Sequence, residues 1–82
     1  MRKKFYYLIL CVLISVSVHA RSLQNIFDSA NTLYDKGDYV EALKQYQQVE
    51  KSLSHWKLFY NMGNCYFKLN QYVEAKINYL RA

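Results

Sequence analysis

The feature that most limits how this chain can fold is its match to itself. Shifting the sequence so that Tyr39 lies on Tyr72, an offset of 33 residues, also lays Val40 on Val73 and Glu41-Ala42 on Glu74-Ala75. At the same offset Tyr46 falls on Tyr79, Asn31 on Asn64 and Ala30 on Gly63. The stretch YVEA is identical in both copies. A period of this size marks an architecture in which one supersecondary unit is stacked on the next.

Each copy reads as two helices. In the first, Leu23, Ile26, Phe27, Ala30, Leu33 and Tyr34 recur at helical spacing. Gly37-Asp38 breaks the pattern, and glycine accepts the left-handed conformation just past a helix end. The pattern resumes from Tyr39 to Leu53, with Ala42, Leu43, Tyr46, Val49 and Leu53 on one side. In the second copy Trp56, Phe59, Tyr60, Gly63, Tyr66 and Phe67 make the first helix, and Tyr72 to Ala82 the next. Asn70 stands in place of Gly37, and asparagine is the next most tolerant residue for that turn. The chain contains no proline to interrupt this.

The small residues carry packing information. Gly63 inside a helix costs about 1 kcal/mol relative to alanine. That cost implies that another helix backbone passes close by, and Ala30 holds the equivalent place. Ala42 and Ala75, on the second helix of each copy, would meet the contact. Leu33 or Tyr66, and Tyr46 or Tyr79, would fill the gaps beside it. The pattern predicts tight antiparallel helical hairpins.

These residues resemble the tetratricopeptide repeat family. The stretches FDSANTLYDKGDYVEALKQYQQV and FYNMGNCYFKLNQYVEAKINYLRA carry its alternation of bulky and small residues around a turn. In the first copy the match is Ile26, Ala30, Leu33, Gly37, Tyr39, Ala42, Tyr46 and Val49. In the second it is Phe59, Met62-Gly63, Tyr66, Asn70, Tyr72, Ala75, Tyr79 and Ala82. Two features depart from the family: its closing proline is absent, with Ser54 near that place, and the period is one residue short. The resemblance implies an all-α fold of antiparallel helical hairpins, a TPR-type α-α superhelix; the order of residues before Arg21 puts a signal or anchor helix in front of it. It divides the chain into 1–20, a first hairpin and connection over 21–55, and a second hairpin over 56–82. A signal followed directly by these repeats also looks like the start of BatE-type aerotolerance proteins of Bacteroidetes-like bacteria.

By the same resemblance, the first helix of each copy lines a concave groove. Its positions here are Gln24, Phe27, Asn31, Tyr34 and Asp35, then Lys57, Tyr60, Asn64, Phe67 and Lys68. Asn31 and Asn64 offer donor and acceptor to an extended peptide backbone, and Tyr34, Tyr60 and Phe67 offer apolar area. The alternative is that the asparagines are solvated and the aromatics pack between repeats. Lys57 and Lys68 alone do not support an acidic-tail ligand. The expected partner is a protein or peptide, or downstream repeats of the same array. Ala82 falls on Val49, inside a repeat, so the chain reads as a piece of a longer repeat protein. Tyr79, Leu80 and Ile77 on the last helix are then left uncovered, and residues 21–82 alone are expected to be marginally stable or to self-associate.

The first 20 residues differ from the rest. Arg2, Lys3 and Lys4 precede an apolar run from Phe5 to Val18, then SVHA. This is the order of a secretory signal cleaved between Ala20 and Arg21, which places the protein in the periplasm or cell envelope. The alternative is an uncleaved anchor in the inner membrane, the run being short of the roughly 20 residues a spanning helix needs. The surroundings of Cys11 lack the small residues of a lipidation site. The three basic residues of this segment account for part of the 11 Lys+Arg, so the chain from residue 21 carries 8 against 6 Asp+Glu. No cluster of cations remains to track a phosphate backbone, and nucleic acid is not an expected ligand.

No constellation for catalysis, metal or cofactor stands out. Beyond the first 20 residues His55 is the one histidine and Cys65 the one cysteine. CxxC pairs and glycine-rich phosphate loops are absent from the sequence. The carboxylates Asp28, Asp35, Asp38, Glu41, Glu50 and Glu74 are spread as on a solvated surface. Cys65 is read as a small apolar filler, and the chain as a binding module, not an enzyme.

Overall fold

A computed structural model describes residues 22–82, which form four helices packed as two antiparallel hairpins. The expected signal or anchor, Cys11 and the Ala20–Arg21 cleavage point lie outside the described residues. Helix α1 occupies 22–35. Helix α2 is Tyr39–Glu50, α3 is Trp56–Lys68 and α4 is Tyr72–Arg81. Among the described residues no helix is long and apolar enough to cross a membrane.

The two hairpin turns are the same motif built from different residues. After α1 the Asp38 N–H donates to the Leu33 carbonyl and the Gly37 N–H to the Tyr34 carbonyl, both at 2.9 Å. After α3 the Gln71 N–H donates to Tyr66 at 2.8 Å and the Asn70 N–H to Phe67 at 3.0 Å. This pair of reversed bonds satisfies carbonyls at the helix end and needs a left-handed residue between them. Gly37 has φ +82° and Asn70 φ +63°. Asn70 gains a further bond, its Oδ1 accepting from the Tyr72 hydroxyl at 2.9 Å.

A substitution at Gly37 reads the backbone alone, because a Cβ there would meet nothing within 4 Å. Gly37→Val should lower stability by about 1–2 kcal/mol, the cost of the left-handed conformation for a residue with a side chain. Gly37→Asn should stay close to the parent, since Asn70 already holds that conformation. Urea midpoints of the two variants check this; equal losses would contradict it.

Most of the core lies between α2 and α3. Ala42, Leu43, Tyr46 and Val49 of α2 and Leu58, Phe59, Met62 and Cys65 of α3 are buried, with Ala30 of α1. Ile26, Phe27, Leu33 and Tyr34 pack against this cluster from α1. Apolar residues three and four apart on each helix make this possible, since they share one face.

Beyond the turns, three side-chain pairs recur at the repeat offset. Tyr34 meets Tyr39 edge-on with ring centroids 5.2 Å apart, and Phe67 meets Tyr72 at 5.3 Å. Phe27 lies 5.7 Å from Tyr46, and Tyr60 lies 5.9 Å from Tyr79. The Tyr46 hydroxyl donates to Asn31 Oδ1 at 2.5 Å, and the Tyr79 hydroxyl to Asn64 Oδ1 at 2.6 Å. The sequence offset is therefore also a structural one.

Two expectations need correction. Helix α2 ends at Glu50, short of Leu53. The Ser52 and Leu53 N–H groups both converge on the Val49 carbonyl, which tightens the last turn and leaves Leu53 about half exposed. The neighbour that Gly63 admits is a ring, not a helix backbone. A Cβ at Gly63 would lie 2.7 Å from Cδ1 and Cε1 of Tyr79. The chain then enters α3 through His55, whose Nδ1 accepts from the Lys57 N–H at 3.2 Å and caps the helix.

Candidate functional site

The turn between α1 and α2 and the packing of α2 on α3 bring α1 and α3 side by side. A pocket of about 340 Å³ opens between them, lined by Asn31, Tyr34 and Asp35 of α1, Tyr46 of α2, and Asn61 and Asn64 of α3. Asn31 and Asn64, on different helices and in different copies, thus share one site. Tyr34 and Asp35 join them.

The asparagines are fixed from behind. Tyr46 is 1% exposed, and burial raises its hydroxyl's pKa well above the usual tyrosine value. The group stays protonated and donates to Asn31 Oδ1. The same Oδ1 accepts from Asn61 Nδ2 at 3.2 Å, a bond that ties α1 to α3. Tyr79 holds Asn64 Oδ1 in the same way, and its pKa is also raised by burial, with Tyr60 adding to it. With these oxygens occupied, the Nδ2 groups of Asn31 and Asn64 remain as donors and Asn61 Oδ1 as an acceptor. A fixed set of amide donors and acceptors beside one carboxylate, Asp35, is suited to binding polar backbone, not to bond-breaking.

The other residues expected in the groove fall elsewhere. Gln24, Phe27 and Lys57 line a second, more apolar pocket of about 470 Å³ with Leu23, Val49, Leu53, His55 and Leu58. Lys57 Nζ also sits 5.6 Å from the Trp56 ring centroid. Tyr60 and Phe67 are half exposed and pair with Tyr79 and Tyr72 inside their own hairpin. Lys68 is exposed at the end of α3.

Asn61 was missed by the repeat alignment because its equivalent at the repeat offset is Asp28, which lies outside the pocket. Its spacing of three from Asn64 places both on one face of α3, and that was the available signal.

Cys65 is fully buried and free. Burial pushes its thiol up to about 11, so at neutral pH it is protonated and a poor nucleophile. It fills the core, with His55 at the far end of α3. Among the described residues no group of His, Cys, Asp and Glu could hold a metal ion.

A second exposed surface lies on α4, where Val73, Ile77 and Leu80 are uncovered. Tyr79 is partly exposed as well, and packs its ring on Gly63 and its hydroxyl on Asn64. At the end of the same helix Arg81 stands over the Phe59 ring at 4.0 Å and reaches Glu50 at 3.3 Å, tying α4 back to α2 and α3.

A family model described as anaphase-promoting complex, cyclosome, subunit 3 matches residues 5–82. It is a model of tetratricopeptide-like repeats, in line with the hairpins above. No curated protein and no solved structure shows a significant match. The narrower BatE-type resemblance gains no support from these comparisons.

Proposed function

The chain belongs to the anaphase-promoting complex, cyclosome, subunit 3 family of tetratricopeptide-like repeats, and from that premise we propose that it holds an extended peptide in the pocket between α1 and α3. Membership makes it a non-catalytic protein-interaction module.

One observation carries the peptide reading: the asparagine oxygens are locked by Tyr46 and Tyr79 in both hairpins. The locked amides present their Nδ2 groups in fixed positions, so little side-chain freedom is lost when a peptide carbonyl binds. Asn61 Oδ1 accepts from a peptide N–H, and Tyr34 lies beside the bound chain.

The tyrosine bonds decide how this is tested. An alanine at Asn31 would strip a partner from the buried Tyr46 hydroxyl and cost stability as well as affinity. Aspartate keeps the acceptor for the tyrosine hydroxyl, and replaces the donor with a charged acceptor oxygen that repels a peptide carbonyl. Peptides selected from a random library on the full chain should therefore bind the Asn31→Asp, Asn64→Asp double variant about tenfold or more weakly, a loss of roughly 1.4 kcal/mol, with helicity unchanged. Unchanged affinity would remove the pocket assignment.

Export to the bacterial envelope belongs to the same proposal and rests on the order of basic, apolar and small residues before Arg21. A mature chain starting at Arg21 supports release into the periplasm. Retention of Phe5–Val18 at the N-terminus, read by mass spectrometry, makes the module a tethered component of an envelope complex instead.

A further inference from the structure

The two ends of the hairpin stack differ in chemistry. One end is made by the start of α1, the connection between α2 and α3, and the end of α4. Leu23 and Gln24 line one pocket with Leu53, His55 and Lys57, and Arg81 reaches Glu50, so these segments lie together. The cations at this end are Lys51, Lys57 and Arg81, and its carboxylate, Glu50, is engaged by Arg81. Trp56 is 56% exposed and Leu53 46%. The opposite end mixes Asp35, Asp38, Glu41 and Glu74 with Lys36 and Lys68.

An exposed tryptophan, a leucine and two lysines that meet no carboxylate among the described residues suit the boundary between water and lipid headgroups. The indole sinks its apolar body there while its N–H stays hydrated. Lysines bury their stems and place their charges on anionic phosphates. Where the apolar run Phe5 to Val18 is retained, it joins the described chain at the start of α1, which is this same end.

We propose that this end of the molecule docks on an anionic bilayer surface, with Trp56 and Leu53 at headgroup depth and Lys51 and Lys57 on lipid phosphates. The surface is distinct from the asparagine pocket, so either assignment can fail without the other.

Trp56 is the only tryptophan in the chain, so its fluorescence reports this end alone. The full chain is mixed with vesicles of equal parts phosphatidylcholine and phosphatidylglycerol. Trp56 emission should move to the blue and be quenched by brominated lipid. Vesicles of phosphatidylcholine alone should produce neither effect, which separates docking from simple tethering by the apolar run. Lys51→Gln combined with Lys57→Gln should abolish the shift with circular dichroism unchanged, and added salt should reverse it in the parent. Equal emission in the two vesicle types, or a shift that survives both lysine substitutions, would overturn the proposal. So would an equal shift with soluble heparin, which would assign the face to a polyanion.

Discussion

Tyr46→Ala should remove most of the cooperative fold of residues 22–82. The side chain is 1% exposed at the junction of both hairpins. It packs edge-on against Phe27 and donates to Asn31 Oδ1. Truncating a buried aromatic to alanine costs about 3–5 kcal/mol, and a domain this small holds only several kcal/mol in total. The repeat supplies an internal control. Tyr79 makes the equivalent hydroxyl bond to Asn64, yet it is 37% exposed on the outer helix. Tyr79→Ala should cost well under half as much. Tyr46→Phe keeps the ring and loses only the hydroxyl bond, for about 1 kcal/mol. Urea melts followed by circular dichroism rank the three. Equal losses at the two tyrosines would mean that the core is not centred on α2.

Gly63→Val should release α4 while leaving α1 to α3 in place. A single Cβ at Gly63 would already lie 2.7 Å from two atoms of the Tyr79 ring and 3.2 Å from a third. Valine adds two methyl groups to that overlap. The ring must leave, and its bond to Asn64 goes with it. Overpacking of this kind costs about 1–3 kcal/mol, and the expected loss is near the upper end because the lost bond adds to it. The damage is local, since Tyr79 belongs to α4, whose other holds are the buried Ala75 and Asn78 and the contacts of Arg81 with Phe59 and Glu50. Gly63→Ala puts its one Cβ against the same ring atoms, so Tyr79 must shift there too, but the loss should be smaller than for valine, since the first hairpin accommodates the buried Ala30 at the equivalent place. Hydrogen exchange checks both: the valine variant should lose protection in Tyr72–Arg81 and retain it in α2. Uniform loss along the chain would contradict a local effect.

The hairpins were legible in the sequence because each is specified locally. A left-handed residue at the turn and apolar residues at helical spacing are properties of one stretch of chain, and the repeat states them twice. Gly37 and Asn70 show this: the residues differ, but both accept a positive φ. The groove residues divided for a physical reason. Tyr60 and Phe67 lie outside the pocket; each stays half exposed and also meets an aromatic of its own hairpin. The bond between Asn31 and Asn61 crosses from one repeat to the next. Its register depends on how the hairpins stack, which periodicity within a helix does not encode. Gly63 was legible as a close approach, but glycine makes room equally for a backbone or a ring. Leu53 misled because it continues the apolar spacing of α2 beyond the turn that ends it.

The most direct test of the account is to watch the asparagine side chains while a peptide binds. With the full chain labelled with nitrogen-15 and titrated with a selected peptide, the side-chain amide signals of Asn31 and Asn64 should move together and saturate at one peptide per chain. The Asn61 signal should follow. Saturation with these three unmoved, and with the changes confined to Val73, Ile77 and Leu80 on α4, would contradict the pocket and place binding on the outer helix.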